Sequence, residues 1–161
     1  MDWRPENHLI FEGVVGSKMY GTFVEGISDI DKRGVCIPTL DITLSLLSNF
    51  EQKDSFPDDD DRAIYSLRKF FLLARDNNPN IIELFFIPRD LWLYSTDYWE
   101  EIVANRHLFI SKKAKFTFSG YAYSQLNRIK RHRGWLLSPP KEKPSREGYG
   151  LEENPLLNQD Q

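Results

Sequence analysis

The sequence has little cysteine, little histidine and no long apolar run, and each shortage excludes a class of protein. Its 161 residues include one cysteine, Cys36, so no disulfide can form within one chain. This excludes a disulfide-stapled secreted scaffold and predicts a reducing compartment, with the cytoplasm as the expected location. Cys36 and the three histidines lack the spacing of a zinc site. No apolar run approaches the roughly 20 residues of a membrane span, and no secretory signal is expected.

Charge is unevenly distributed along the chain, although the formal net charge is only −3. Acidic residues lead in the first half, where Asp58 to Asp61 form a run that lacks the glycine and terminal glutamate of a calcium loop. Most of this run is expected to be solvated. Residues 112 to 133 carry only basic charges: Lys112, Lys113, Lys115, Arg128, Lys130, Arg131 and Arg133. Such a segment contacts phosphate in some proteins and forms a solvated helix face in others.

Hydrophobic spacing predicts a small mixed β-sheet with helices packed mainly on one face, which is an α+β fold. Residues 48–60 are expected to be an exposed loop, and residues 138–161 an irregular, proline- and charge-rich tail. Residues 1–137 are predicted to form one domain, with a core at about 9–90 and a helical part at about 91–137. Strands are predicted at 9–15, about 28–37 and 81–87, and helices at 40–47, about 64–76, 96–105 and 111–133. Residues 61–65 could instead be extended, with Ser66 as the N-cap of the second helix. The last helix has a predicted core stripe of Phe118, Ala122, Leu126 and Ile129.

The most informative motif joins a glycine turn to two carboxylates. The segment Gly16-Ser17-Lys18-Met19-Tyr20-Gly21-Thr22 follows the first predicted strand, and Ser28-Asp29-Ile30-Asp31 opens the second. Alternate side chains of a strand share a face, so Asp29 and Asp31 are expected to project together, about 6.6 Å apart, with Ile30 turned into the core. Magnesium binds hard oxygen ligands and often takes one or two carboxylates together with nucleotide phosphates. The motif therefore predicts a nucleotide-handling enzyme.

This pair of motifs resembles the signature of the DNA polymerase β-like nucleotidyltransferase superfamily. The variant is similar to a branch of predicted nucleotidyltransferases that includes proteins associated with bacterial RNA repair. The resemblance covers roughly residues 10 to 145, and it implies transfer of a nucleoside monophosphate from a triphosphate to a hydroxyl, with release of pyrophosphate and with Mg²⁺ or Mn²⁺ as cofactor. Three later segments also fit the branch: Ile64 to Phe70, Asn78 to Phe85, and Gly120-Tyr121-Ala122 with Arg131 to Trp135.

The resemblance also implies roles for individual residues. Asp29 and Asp31 are expected to ligate the metals. A third catalytic carboxylate is expected from a later strand. Asp61 is favoured over Glu83, and Asp59 would take the place of Asp61 if the strand register were shifted. The predicted nucleotide-binding residues are Gly16, Ser17, Lys18, Tyr20, Gly21 and Arg33. Independently of the resemblance, the basic end of the last predicted helix offers contacts for the acceptor or its phosphates at Arg128, Arg131, His132 and Arg133, and Trp135 offers a stacking surface nearby.

Other interpretations of the same residues remain open. Ser-Asp-x-Asp is common where chains bend, so Asp29 and Asp31 could be turn residues. A non-catalytic nucleotide- or nucleic-acid-binding regulatory module would use the basic helix and lack a third acid within metal reach. A glycosyltransferase also holds a nucleotide diphosphate through Asp-x-Asp and a metal, but it usually needs a larger domain. The acceptor could be RNA or another nucleic acid, a protein or a small molecule; no membrane and no stable protein partner are expected.

Overall fold

A computed structural model describes residues 3–46, 49–57, 59–139 and 145–150 of the chain. The chain divides into two compact units, residues 1–120 and residues 121–161. The predicted division into a domain of residues 1–137 and a tail stays a prediction. No helix in the described part of the chain has the length and apolarity that a bilayer crossing requires.

A five-stranded mixed sheet organises the first unit. Strands β2 and β4 pair in parallel, and the other neighbouring pairs are antiparallel. The predicted α+β fold with a small mixed sheet is therefore confirmed. The spatial order is β3-β4-β2-β1-β5, where the strands are β1 (Leu9–Val14), β2 (Lys32–Cys36), β3 (Gln52–Phe56), β4 (Asp59–Ser66) and β5 (Trp92–Ser95).

Short helices connect the strands, and one long helix follows them. The α-helices are α1 (Leu40–Leu44), α2 (Leu67–Arg75), α3 (Pro79–Ile82), α4 (Asp97–Ala104) and α5 (Lys113–Leu137). Turns of 3₁₀-helix span Pro5–His8, Glu83–Phe86, Arg89–Leu91, Arg106–Phe109 and Glu147–Tyr149. Ser66 ends β4 and caps α2, because its hydroxyl accepts a hydrogen bond from the backbone N–H of Lys69 at 3.2 Å.

The main core lies between one face of the sheet and the helices. Phe11 of β1 stacks on Trp99 of α4 with ring centroids 4.1 Å apart, and Phe70 of α2 meets the same tryptophan edge-on at 5.5 Å. Val35 is buried in this cluster. The residues of β2 and β4 that point to the other face, Cys36 and Ile64, belong to a smaller cluster. This asymmetry is the predicted packing of helices mainly on one face.

Two predicted element types are wrong. Residues 81–87 form no strand, because Asn78 and Pro79 start a helix: Asn78 Oδ1 accepts from the N–H of Asn80 at 3.0 Å, and proline occupies the first helical turn. Glu83 therefore lies in the Glu83–Phe86 turn and not in a strand. The predicted loop at 48–60 contains β3, whose only bulky apolar residue is Phe56, so its pairing with β4 leaves no alternating pattern in the sequence.

Other differences concern the ends and exposed faces of elements. β2 begins at Lys32, so Asp29 and Asp31 precede the strand, and Ile30 is 41% exposed where burial was predicted. β5 was not anticipated. The predicted core stripe of α5 is exposed, with no buried residue among the helix's 25 residues. Asp58, the side chains of Asp59 and Asp60, and most of the predicted tail lie outside the described residues.

Candidate nucleotide and metal site

The glycine turn and one of the two predicted carboxylates are in contact at the end of β1. The backbone N–H of Val15 donates to the carbonyl oxygen of Asp31 at 3.0 Å, which holds the two segments side by side. Gly16 has a φ of +65°, and a Cβ at this position would overlap Oδ2 of Asp31. Residue 16 must therefore be glycine for two reasons: the left-handed backbone and the close approach of the carboxylate.

Residues 16–22, called the glycine loop from here on, are shaped by their own backbone. The N–H of Tyr20 donates to the carbonyl of Gly16 at 3.2 Å, and the N–H of Thr22 donates to the carbonyl of Ser17 at 2.9 Å. Gly21 also has a positive φ, +69°, with open space around it. Ser17 is half-buried and Lys18 is exposed. The loop therefore offers an approachable backbone, a hydroxyl and a cation beside Asp31.

Strand register brings Asp61 to the same edge of the sheet. In the parallel pair of β2 and β4, Lys32 lies opposite Arg62, and Arg33 lies opposite Ala63. Extending this register by one residue places Asp31 opposite Asp61, at the strand spacing of about 4.8 Å. Opposed residues of neighbouring strands share a face, so these two carboxylates belong to one side of the sheet.

Asp29 lies two residues before Asp31, in the exposed segment that precedes β2. That segment closes on itself, because the Ser28 hydroxyl accepts from the N–H of Val24 at 3.0 Å and the N–H of Ser28 donates to the carbonyl of Val24 at 2.9 Å. Within the described ranges, no three His, Cys, Asp or Glu side chains lie close enough together to hold a metal ion. Asp31 and Asp61 nevertheless supply the hard oxygen donors that suit Mg²⁺ or Mn²⁺, which binds few protein carboxylates when phosphates complete its shell.

Arg33 places a positive charge between the two strands. One guanidinium nitrogen, Nη1, donates to the carbonyl oxygens of Asp61 at 2.8 Å and Lys32 at 2.9 Å. The other, Nη2, lies 3.8 Å from Oδ1 of Asp31. The backbone contacts hold the guanidinium in one orientation, so a cation faces the carboxylate edge where a phosphate chain would lie. This residue was predicted to bind nucleotide, and the structure places it beside Asp31.

Glu83 comes from a different element but reaches the same region. Its Oε2 accepts a hydrogen bond of 2.6 Å from the Tyr20 hydroxyl. Burial raises the pKa of Glu83 above its usual range; the Tyr20 hydrogen bond and Arg33 oppose the rise, and the charge of Asp31 adds to it. The structure thus engages Glu83 with the glycine loop, whereas the sequence offered it only as the alternative third catalytic carboxylate.

Tyr65 is a member of this cluster that sequence reasoning missed. Burial raises the pKa of its hydroxyl, and the nearby Arg33 opposes that rise. Residues 61, 63 and 65 alternate along β4, so Tyr65 faces the same side as Asp61. A strand from Asp61 to Tyr65 was one of the two structures that the sequence allowed there, and its alternation was the signal that could have found Tyr65.

The four predicted acceptor contacts, Arg128, Arg131, His132 and Arg133, lie on the part of α5 that belongs to the second unit. All four are exposed. The His132 ring stacks on that of Trp135, with centroids 6.1 Å apart and ring planes within 8° of parallel. Their contact with an acceptor stays a prediction.

Comparisons with known proteins add the family. A family model described as RlaP, RNA repair pathway DNA polymerase beta family, matches residues 2–136. The chain is also similar to a protein of Enterobacteria phage T4 named "Uncharacterized 38.9 kDa protein in nrdC-mobD intergenic region", with 28% identity over 129 residues. That match covers 74% of this chain and 38% of the phage protein, so the chain spans well under half of the relative's length. No solved structure matches the chain.

Proposed function

Because the chain belongs to the RNA repair pathway DNA polymerase beta family, we propose that it is a metal-dependent nucleotidyltransferase. The substrate is a nucleoside triphosphate, and the acceptor is a hydroxyl group. The acceptor oxygen forms a bond to the α-phosphorus, the bond from that phosphorus to the β-phosphate oxygen breaks, and the acceptor proton and pyrophosphate leave. The observation that supports this most is the contact between the Gly16 turn and Asp31, at the end of the sheet where β2 and β4 pair from Lys32 and Arg62 onward.

The residues at this edge can bind and neutralise different parts of the substrate. Approachable backbone N–H groups of the glycine loop, the Ser17 hydroxyl and Lys18 suit the triphosphate, because phosphates are bound well by amides that no side chain covers. Arg33 can neutralise negative charge that builds up on the phosphates, since its guanidinium is held beside Asp31. Phosphoryl-type transfer depends mainly on such positioning and charge stabilisation.

Asp31 and Asp61, with Asp29 close by in sequence, would hold the divalent metal. When bound, the metal would supply charge neutralisation and activate the acceptor oxygen. Two observations favour Asp61 over Glu83 as the third acid. Lys32 lies opposite Arg62 in the paired strands, and continuing that register by one residue would set Asp61 opposite Asp31, whereas the Glu83 carboxylate already accepts a hydrogen bond from Tyr20.

The direct test supplies each of the four nucleoside triphosphates, labelled at the α-phosphate, together with Mg²⁺ or Mn²⁺ and a panel of acceptors. RNA with a free hydroxyl end comes first in the panel, because the family description names an RNA repair pathway. Wild-type protein is expected to transfer label and release pyrophosphate only when the metal is present. Asp31→Asn and Asp61→Asn are expected to lose at least about 100-fold in rate, the size typical of a lost electrostatic contact in a transition state.

A matched control is Asp90→Asn, which changes an exposed carboxylate in the Arg89–Leu91 turn and should leave the rate unchanged. Absence of label transfer to every acceptor, together with absence of metal-dependent nucleotide binding, would contradict the proposal. A parallel arm with a nucleotide-sugar donor tests the glycosyltransferase alternative. Transfer of the sugar in preference to the nucleotide would support that alternative instead.

A non-catalytic nucleic-acid-binding module is a second candidate, favoured by the exposed cations and the stacked rings of His132 and Trp135 on α5. Cations bind the nucleic-acid backbone and aromatic rings stack on bases. This candidate predicts salt-sensitive binding of single-stranded RNA by the full chain, with the same affinity in Asp31→Asn and without nucleotide transfer by wild-type protein. Nucleotide transfer by wild-type protein would exclude it as the sole function.

A further inference from the structure

Two adjacent side chains of the glycine loop reach out of the loop into the rest of the first unit. Met19 is partly buried against the main core. Tyr20 donates its hydroxyl proton to Oε2 of Glu83 at 2.6 Å, across 63 positions of sequence. An O–H···O bond to a carboxylate at this distance is among the stronger side-chain hydrogen bonds in proteins. The loop is thus attached to the fold at the residues between Gly16 and Gly21.

The partner of Tyr20 is itself held firmly. The residues on both sides of Glu83 are in the main core: Ile82 is 5% exposed and Leu84 is fully buried. The helix that precedes Glu83 begins with an Asn78 cap and a proline, which define its start. A carboxylate on such an element has little freedom to move, so it can serve as a fixed point for a neighbouring loop.

We infer that Glu83 is a positioning residue that acts through Tyr20, fixing the glycine loop in the orientation that presents its backbone to a triphosphate beside Asp31. The inference rests on the proposed nucleotidyltransferase function. It assigns to Glu83 a role different from metal binding. Tyr20, in turn, acts as the link between the loop and the core and need not contact the phosphates.

The Tyr20–Glu83 hydrogen bond should affect nucleotide binding more than the chemical step. A loop held in its binding geometry before the nucleotide arrives spares the ordering that binding would otherwise require. Loss of the Tyr20–Glu83 hydrogen bond should therefore weaken nucleotide binding and raise KM, while kcat changes little. Loss of a metal ligand would lower kcat instead.

The first experiment measures hydrogen exchange of the free protein, without nucleotide or metal. Tyr20→Phe removes the donor, Glu83→Ala removes the acceptor, and Glu83→Gln keeps an oxygen that accepts. Peptides covering residues 16–22 are expected to exchange about 10-fold faster in Tyr20→Phe and Glu83→Ala, and only slightly faster in Glu83→Gln. Tyr98→Phe, which changes an exposed tyrosine on α4, is the matched control and should exchange as wild type does. Unchanged exchange of the loop in both Tyr20→Phe and Glu83→Ala would overturn the inference.

The second experiment measures the kinetics of the same variants. Tyr20→Phe and Glu83→Ala are expected to raise KM for the nucleotide about 10-fold with kcat within about twofold of wild type. Glu83→Gln should recover most of the loss, and Tyr20→Phe combined with Glu83→Ala should be no worse than either alone, because both remove one interaction. A loss of kcat of more than about 100-fold in Glu83→Gln would identify Glu83 as the third acid and refute the positioning role.

The two experiments separate this inference from the proposed function. If wild-type protein transfers no nucleotide while loop exchange responds as expected, the transferase proposal fails but the Tyr20–Glu83 attachment stands. If wild-type protein is active while the hydrogen exchange of the loop and the KM for the nucleotide are unchanged by these substitutions, only the positioning role fails. Circular dichroism and the thermal midpoint of each variant show whether it is folded, and Tyr20→Phe, a change at a residue 63% exposed, should be folded in any case.

Discussion

The carboxylate edge, which is the end of the sheet at Asp31 and Asp61, and the helix α5 both carry residues that suggest chemistry. The two regions differ in how firmly these residues are held. At the edge, Asp31 lies against Gly16 and beside Arg33, and Arg33 donates to the carbonyl of Asp61 in β4. In α5 every side chain is at least partly accessible, and the long apolar residues of its predicted core stripe are exposed. Strand register places residues that are distant in sequence side by side, whereas helical spacing of apolar residues shows only that they share a face.

The largest expected contrast is in thiol reactivity, between the interior of the sheet and the surface of α5. Burial and the neighbouring charge of Glu6 raise the pKa of Cys36 from 9.0 to about 12, and its side chain is fully buried in β2. A thiol introduced on the exposed surface of α5 by Ser124→Cys should ionise normally. At pH 8 the thiolate fraction, and hence the alkylation rate, should differ about 1,000-fold between the two sites.

Iodoacetamide labelling followed by peptide mass spectrometry measures both rates in one sample of the Ser124→Cys variant. The Cys36 rate should rise as the pH is raised, because a larger fraction of the thiol ionises. Comparable rates at pH 8 in the folded protein would show that the sheet is as open to solvent as the helix, and the contrast would disappear.

The second contrast uses two tryptophans. Trp99 of α4 is fully buried against Phe11 and Phe70, whereas Trp135 of α5 is 67% exposed. Trp99→Ala should lower the free energy of unfolding by about 3–5 kcal/mol, because it removes a large buried ring and leaves a cavity. Trp135→Ala should change it by less than about 0.5 kcal/mol. Urea unfolding followed by far-ultraviolet circular dichroism measures both; a comparable loss in the two variants would mean that α5 is packed against a core.

The third contrast lies within the carboxylate edge and uses two glycines of similar backbone conformation. Gly16→Ala and Gly21→Ala both force a left-handed backbone on alanine, which costs roughly 1–2 kcal/mol. Only at residue 16 does the new methyl group overlap the Asp31 carboxylate; at residue 21 it meets open space. Nucleotide transfer should therefore fall about 100-fold further in Gly16→Ala, since a small displacement of a reacting group has effects of that size.

The control for this pair is the free energy of unfolding, which shows how much of the loss comes from general destabilisation. Equal activities in the two variants would mean that the contact between residue 16 and Asp31 has no part in catalysis. The transfer assay with labelled nucleotide serves as the measurement in both cases.

Much of the edge was predictable from the sequence because its signals are local. Gly16-Ser17 at the end of an apolar strand and Asp31 in the next predicted strand indicated one site, and an extended Asp61 to Tyr65 with Ser66 as helix cap was one of the two structures that the sequence allowed. The short span of β2 was not predictable, since Ile30 is apolar yet exposed. The contact of Tyr20 with Glu83 was not predictable either. It depends on the 3₁₀ turn at Glu83–Phe86, whereas the apolar run at 81–87 predicted a strand.

The exposure of α5 could not be predicted from its sequence for a related physical reason. Its apolar residues recur at helical spacing, as in helices that cover a core, but spacing says nothing about whether another element is present to receive them. What the structure does show is how the helix begins. Asn77, with a φ of +53°, accepts hydrogen bonds at Oδ1 from the N–H and hydroxyl of Ser111, at 3.0 and 3.1 Å, just before the first turn of α5.

The smallest expected effect concerns the ion pair at that same point. Lys113 Nζ lies 2.8 Å from Oδ1 of Asp76, and the hydrogen bond to Lys113 holds the pKa of Asp76 below its usual value, with a smaller contribution from Arg75. A lowered folded-state pKa adds stability above the unfolded-state pKa, and that stability is lost as the pH falls through the folded-state value. Carboxylate titration by NMR should show Lys113→Ala returning the Asp76 pKa toward normal more than Arg75→Ala does. Both pairs are exposed, so unfolding at pH 7 should be nearly unchanged; a clear loss of stability would mean that the ion pair, rather than Asn77, secures the start of α5.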